Sequence, residues 1–401
     1  MNSIEKKPLG EFPPLPRQAI LDLGVSRIRD IANAGMGRTD IDAFWFGESD
    51  QPTPDFIRAA ASASLNGGQT FYTQNLGLPA LREAIASYIS RLHRTTLDPS
   101  RVAVTGSGVS ALMLSAQLLL SPGDRAVIVT PIWPNIAEIP RILSAEVVRV
   151  PLAIADGRWA LDVDRLLAAL TPETRVLFLN SPNNPTGWTI EPEALQAVFE
   201  HCRRLGIWLV TDDVYERLSF RPTQAPLPSM LGVADPEDRL ISVNSFSKAW
   251  CMTGWRIGWL VAPVVTIAEL GKVIEYNTSC APGFVQQGAI AALDAELGDA
   301  FVTALVKRLA LSRDRLTAGL RRYAEIELPE ADGAMYAFFR LKGRADDMAL
   351  ARDLLQQVGL GLAPGSAFGP EGGGWLRWCF AASPEKIDAG LSRLDRFMSR
   401  N

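Results

Sequence analysis

The sequence predicts an α/β protein: a large domain built on a mostly parallel, seven-stranded sheet flanked by helices, followed by a smaller α+β domain. Three observations carry that reading. Seven short apolar runs lie between residues 102 and 263. Helical stretches separate several of them, and strands alternating with helices form parallel sheets covered on both faces. After about residue 295 the texture changes to one long helical run and shorter elements.

The runs are VAVTG (102–106), RAVIVT (125–130), EVVRVPL (146–152), RVLFLN (175–180), IWLVTDD (207–213), LISVNSF (240–246) and IGWLVAP (257–263). The segments SALMLSAQLLL, after the first run, and EALQAVFEHCRRL (193–205) have helical character. From 296 to 323 the pattern is helical, and GAMYAFFRLKG follows. A helix over ALARDLLQQVGL, a strand over WLRWCFAAS and a C-terminal helix over EKIDAGLSRLDRFMSR complete the chain. The expected division is residues 1–45 as an N-terminal arm joining the small domain, 46–295 as the large domain and 296–401 as the small domain. Four prolines (Pro8, Pro13, Pro14, Pro16) mark the start of the arm as extended.

A chain of 401 residues with 47% hydrophobic and 21% charged residues is an ordinary globular protein with ample core. Its net charge of −4 argues against nucleic acid and anionic membrane surfaces as partners. Two histidines, His93 and His201, leave almost nothing for a histidine metal site, so no metal is expected. Cys202, Cys251, Cys280 and Cys379 are spaced as free, mostly buried thiols. The N-terminus lacks an apolar leader, and a cytoplasmic location is expected.

Seven of the 40 basic residues are lysines, leaving 33 arginines, so a lysine inside a dense motif stands out. Lys248 is such a residue, in Asn244-Ser-Phe-Ser-Lys-Ala-Trp-Cys-Met-Thr-Gly-Trp-Arg-Ile-Gly258. It follows an apolar strand beside Phe246 and Trp250, where desolvation disfavours the ammonium and yields a nucleophilic amine suited to Schiff-base chemistry. Ser245, Ser247 and Arg256 form a phosphate receptor.

Thr105-Gly-Ser-Gly-Val-Ser-Ala111 opens a helix after the first strand. Backbone N–H groups at a helix N-terminus bind phosphate, which points to Ser107, Gly108 and Val109. Gly106-x-Gly108-x-x-Ala111 also fits a relaxed dinucleotide fingerprint. That reading needs an acid closing the second strand, but Asp124 precedes it and Thr130-Pro131 ends it. Asn180-Ser-Pro-Asn-Asn-Pro-Thr-Gly187 reads as a turn. Asp212, in Thr211-Asp-Asp-Val-Tyr215, ends a buried strand and needs a cationic or donor partner, with Asp213 as the neighbouring alternative. Arg377, among apolar neighbours in Trp375-Leu-Arg-Trp-Cys-Phe380, should meet a carboxylate, from a ligand or in a structural salt bridge.

Ser-x-Ser-Lys followed by Gly-x-Arg-x-Gly resembles the signature of class I/II aminotransferases, fold-type I pyridoxal-phosphate enzymes of the aspartate aminotransferase superfamily. The resemblance runs from about residue 40 to the end, with several motifs in order. It implies pyridoxal 5'-phosphate held as a Schiff base on Lys248, which also moves the substrate α-proton. It implies Asn184 and Tyr215 on the cofactor's phenolic oxygen, Asp212 on its pyridine nitrogen and Trp133 stacked on its ring. The three-residue spacing to Tyr215 selects Asp212 over Asp213. Arg377 would grip the substrate carboxylate, and Gly47 would lie in a loop over the substrate. Tyr72 would reach the cofactor phosphate of a partner subunit, which implies a homodimer with composite sites. The expected reaction exchanges an amino group between an L-amino acid and a 2-oxo acid; a β-lyase or an oxidase/deaminase is the alternative on the same scaffold. Glu275 aligns where aspartate-specific members of one subgroup carry an arginine that reaches the distal carboxylate from the partner subunit; an acid there would repel a dicarboxylate, and a solvated helix charge is the other reading.

Overall fold

The computed structural model describes residues 16–221 and 228–400. Pro8, Pro13 and Pro14 of the expected arm lie outside the described residues. The seven apolar runs form one sheet. Its strands are β1 (Val102–Thr105), β2 (Arg125–Thr130), β3 (Glu146–Pro151), β4 (Thr174–Asn180), β5 (Trp208–Asp212), β6 (Leu240–Ser245) and β7 (Gly258–Val261). They lie in the order β1-β7-β6-β5-β4-β2-β3. Observed ends differ from the expected ones by a residue or two, as strand ends commonly do.

Most central positions of these strands are fully buried. A sheet covered on both faces requires apolar side chains on both, which is why the runs are continuous rather than alternating. All pairs are parallel except those of β7, which runs antiparallel to both β1 and β6. Gly258 therefore faces Ser245 across the β6–β7 pair, and residues 246–257 connect the two strands at one end of the sheet.

A second sheet joins β8 (Ile326–Glu327), β9 (Tyr336–Leu341), β10 (Ala363–Pro364) and β11 (Trp375–Cys379) in the order β8-β9-β11-β10, all antiparallel. Five helices matter below: α1 (Arg27–Gly35), α2 (Gly108–Leu119), α3 (Pro192–Leu205), α4 (Leu297–Leu320) and α5 (Pro384–Met398). Asp42–Ala43 pairs in parallel with Leu360–Gly361, and Arg352 bonds Asp30 at 2.8 Å, so the early chain is tied to late elements. Glycine ends α3 because Gly206 adopts φ +71°, a left-handed conformation that costs glycine little. The four cysteines are free, and three of them are buried. No helix among the described residues is long and apolar enough to cross a membrane.

Candidate active site

In parallel sheets the carboxyl ends of the strands gather loops at one edge, and ligands bind there. Here Thr105, Thr130, Asn180, Asp212 and Ser245 end their strands. The motifs follow those ends. Gly47, Gly108, Val109, Trp133, Asn184, Asp212, Tyr215, Ser245, Ser247, Lys248, Arg256 and Arg377 all line one cavity of about 220 Å3. The residues are scattered over more than 300 positions of sequence, and folding alone brings them together.

The anion seat lies at the start of α2. Ser107 caps the helix, its Oγ accepting from the Ser110 N–H at 3.0 Å. Among the described residues the Gly108 and Val109 N–H groups have no partner, so two donors at the positive end of the helix remain for a ligand. A Cβ on Gly108 would stand 3.2 Å from Ser245 Cβ, so glycine keeps this cradle open. The Ser245 and Ser247 hydroxyls lie 2.8 Å apart. Arg256 is held at φ +50°, a conformation a bulky residue rarely adopts, with Nη1 donating to the Thr253 carbonyl. Two hydroxyls, two helix N–H groups and a guanidinium fit a phosphate ester.

Lys248 projects from the β6–β7 connection, and its Nζ donates to the Gly47 carbonyl. Burial pushes the ammonium down to about 8, with Arg377 and Arg256 acting in the same direction and Glu48 opposing. The amine is therefore neutral through much of the mildly alkaline range, where it is a nucleophile and a base. Labelling of Lys248 in the cofactor-free protein by an amine-selective reagent is expected to rise with a midpoint near pH 8, not near the ordinary 10.5. Peptide mass mapping across pH 6 to 11 measures it, and a midpoint above 10 would contradict the buried setting.

Asp212 is buried, and the Val214 N–H at 3.4 Å is its carboxylate's hydrogen-bond donor. Burial, then the neighbouring Asp213, raises it to about 7. A carboxylate so poorly paired gains from a cation delivered by a ligand. Asp213, the alternative, accepts from the Thr211 and Ser242 hydroxyls at 2.8 and 2.6 Å and does not line the cavity.

Arg377 is 2% exposed. Its Nη1 donates to Asn184 Oδ1 at 3.0 Å, its Nη2 to the Trp45 carbonyl, and the Tyr336 and Phe368 rings flank the guanidinium. Every one of these partners is neutral, and Nε has none. The structural salt bridge is thus excluded among the described residues, and the charge faces the cavity without an acid.

Sequence reasoning missed Tyr336, Asn180, Trp45, Phe46, Ile28, Leu112 and Val214, which also line the cavity. Tyr336 enters from β9, in the second sheet, and its hydroxyl lies 2.6 Å from that of Tyr215. It also explains Gly47, because a Cβ there would overlap the Tyr336 hydroxyl. Asn180 holds the turn after β4: its Nδ2 donates to the Asp212 carbonyl at 2.8 Å and its Oδ1 accepts from the Asn184 N–H at 2.9 Å. Being the first residue of the Asn-Pro-rich motif was the signal for Asn180. Tyr336 sits in an apolar run and carried none.

Two further expected residues lie elsewhere. Tyr72 is 93% exposed and outside the cavity of its own chain. Glu275, exposed at the end of its helix, accepts from Asn75 and does not line the cavity either. His93 bonds Glu216 at 2.9 Å, away from the cavity lining.

Fold and site together define a class. The chain matches the family model for aminotransferases of class I and II over residues 43–394 and belongs to that family, whose members are generally pyridoxal-phosphate-dependent and exchange amino groups between amino and oxo acids. An aspartate aminotransferase of Musicola paradisiaca is 34% identical over 87% of this chain and 86% of its own. An aminotransferase from Mycobacterium tuberculosis superposes with a TM-score of 0.89 at 30% identity, covering 97% of this chain and 100% of the other. An aromatic aminotransferase from Pyrococcus horikoshii gives 0.84 at 29% identity over 93% and 99%. The protein is an aminotransferase, and these relatives do not favour the lyase or oxidase alternative.

Proposed function

We propose that amino-group transfer in this protein uses pyridoxal 5'-phosphate bound through Lys248, with Arg377 as the receptor for the substrate α-carboxylate. One observation carries the reading: a half-buried, neutral-leaning amine and a buried guanidinium with no acid bonded to it face the same cavity. The residues present suit the cofactor. Ser107, Gly108, Val109, Ser245, Ser247 and Arg256 would hold its phosphate, Asp212 its ring nitrogen, Asn184 and Tyr215 its phenolic oxygen, and Trp133 its ring face. Bound there, it supplies a carbonyl that condenses with amines and a ring that accepts an electron pair.

The chain's own groups do the rest. Arg377 fixes the carboxylate, and so the orientation of the substrate Cα–H bond. Lys248, as a neutral amine, would remove the proton from Cα and hold it on Nζ for return. Asp212, ionised against a protonated ring nitrogen, keeps that nitrogen cationic. Tyr336 holds the Tyr215 hydroxyl from the other side.

The same reading includes a homodimer in the cytoplasm, with residues 1–45, 46–295 and 296–401 as arm, large and small domains. Phe71, Tyr72 and Tyr276 are 84–93% exposed, and Thr73 bonds Cys280 and Ala281 while Asn75 bonds Glu275, so the segments that carry them are neighbours. Bare aromatic rings on neighbouring segments suit a partner surface. The free cysteines suit a reducing compartment.

Adding pyridoxal phosphate to the cofactor-free protein is expected to produce a visible absorption band that amino acids bleach and a 2-oxo acid restores. A band that forms but never bleaches would remove transamination. Arg377→Ala is expected to raise KM for every amino acid by about 30-fold or more, the equivalent of about 2 kcal/mol for a truncated buried charge contact. An unchanged KM would take Arg377 out of the site.

A further inference from the structure

We infer that the amino donor carries an uncharged, apolar side chain, branched-aliphatic or aromatic, and not a second carboxylate. The inference rests on the proposed reading of Lys248, Arg256 and Arg377. These three are the only cations among the described residues that line the cavity. Each has a ligand group to meet: the cofactor carbonyl, its phosphate and the substrate α-carboxylate. None of this chain's own cations remains for a distal carboxylate, and an anion without a cation or several donors is expensive to desolvate.

The remaining wall is apolar. Ile28 comes from the first turn of α1, Trp45 and Phe46 from the segment before Gly47, and Val109 and Leu112 from one face of α2, three residues apart. Ile28 and Leu112 are buried to 8% and 1% exposure, so most of each side chain is packed and its remaining face is apolar. A branched or aromatic side chain gains by burial against such a wall. Glu48, next to Gly47 and near enough to act on the Lys248 charge, adds a negative potential that disfavours a dianion. Arg29 stacks on Phe46 at 5.0 Å but is exposed and outside the lining. Glu275, an acid where the resemblance puts a partner-subunit arginine, brings no cation to a distal carboxylate either.

The test measures equilibrium binding of unreactive carboxylates to the cofactor-loaded full chain, by its visible spectrum or by calorimetry. The probes are 3-phenylpropanoate and 4-methylpentanoate against succinate. The apolar monocarboxylates are expected to bind about tenfold tighter or more, a difference of about 1.4 kcal/mol. In turnover, phenylalanine or leucine should exceed aspartate and glutamate in kcat/KM by a similar factor. Succinate binding as tightly as the monocarboxylates, or tighter, overturns the inference. That outcome includes a cation reaching the cavity from a second copy, because the assembled protein is what binds. Arg29→Ala should leave the ratio unchanged; a selective loss of succinate binding would make Arg29 a distal-carboxylate receptor and overturn the inference as well. Apolar preference in binding with no amino acid turned over would keep the apolar side-chain site while removing the transamination reading, so the two fail separately.

Discussion

Lys248→Ala is expected to lower turnover by a factor of about 10^4 or more while the protein still folds and still binds the cofactor without a covalent bond. The size of the loss follows from two duties on one atom. On the proposed reading Nζ is both the attachment point and the proton carrier at Cα, and the other cations that line the cavity among the described residues, Arg256 and Arg377, cannot replace it because they do not deprotonate. The fold should survive because the bond that Lys248 makes inside the protein is a single donation to the Gly47 carbonyl. Steady-state kinetics, the visible spectrum and thermal denaturation together check this. Normal turnover in the variant would refute the assignment of the nucleophile.

Asp212→Asn separates catalysis from stability. Activity is expected to fall by about 10^2–10^3 or more, because an amide cannot hold the ring nitrogen cationic. Stability should move the other way in the cofactor-free protein. The folded Asp212 is raised from 3.8 to about 7. Such a group favours the fold fully below about pH 4, and that contribution is lost as pH rises through about 7. The wild type should therefore lose melting temperature relative to the variant between pH 5 and pH 8. Asp213, also raised by burial, is retained in the variant, and its repulsion of Asp212 is part of the difference measured. Adding cofactor should reverse the order, since it brings the missing cation to Asp212 alone. Parallel melting curves at pH 5 and 8, with and without pyridoxal phosphate, decide it. A variant that is less stable than the wild type at pH 8 without cofactor would mean that Asp212 is already well paired.

The fold was legible because a sheet covered on both faces needs continuous apolar strands, and strand-end motifs are compact. Asp212, Lys248 and Asn184 each sit within a few residues of a strand end, so local sequence carries their position. Tyr336, Trp45, Phe46 and Ile28 were not legible for the opposite reason. They are apolar or aromatic residues inside apolar patterns, and only the docking of the second sheet and α1 on the first turns them into cavity wall. Arg377 stood between: its oddity in an apolar strand was visible, but the absence of an acid beside it is a three-dimensional fact. Sequence patterning also does not encode direction, so the antiparallel course of β7 had to come from the structure.

That reversed strand has a further consequence. Parallel neighbours are joined by crossovers whose helices can absorb added residues. The β6–β7 connection has no such helix: Ser245 and Gly258 face each other across the pair, and residues 246–257 between them are mostly buried, so added residues have little room. Lys248 and Arg256 are carried on this one bridge, clamped at both abutments. A residue inserted or deleted there would shift them relative to the helix-borne anion seat by up to about 3.3 Å, the advance of one extended residue. Variation in length should therefore be tolerated in the crossover segments of this protein and penalised in this one, whatever the identity of the added residue.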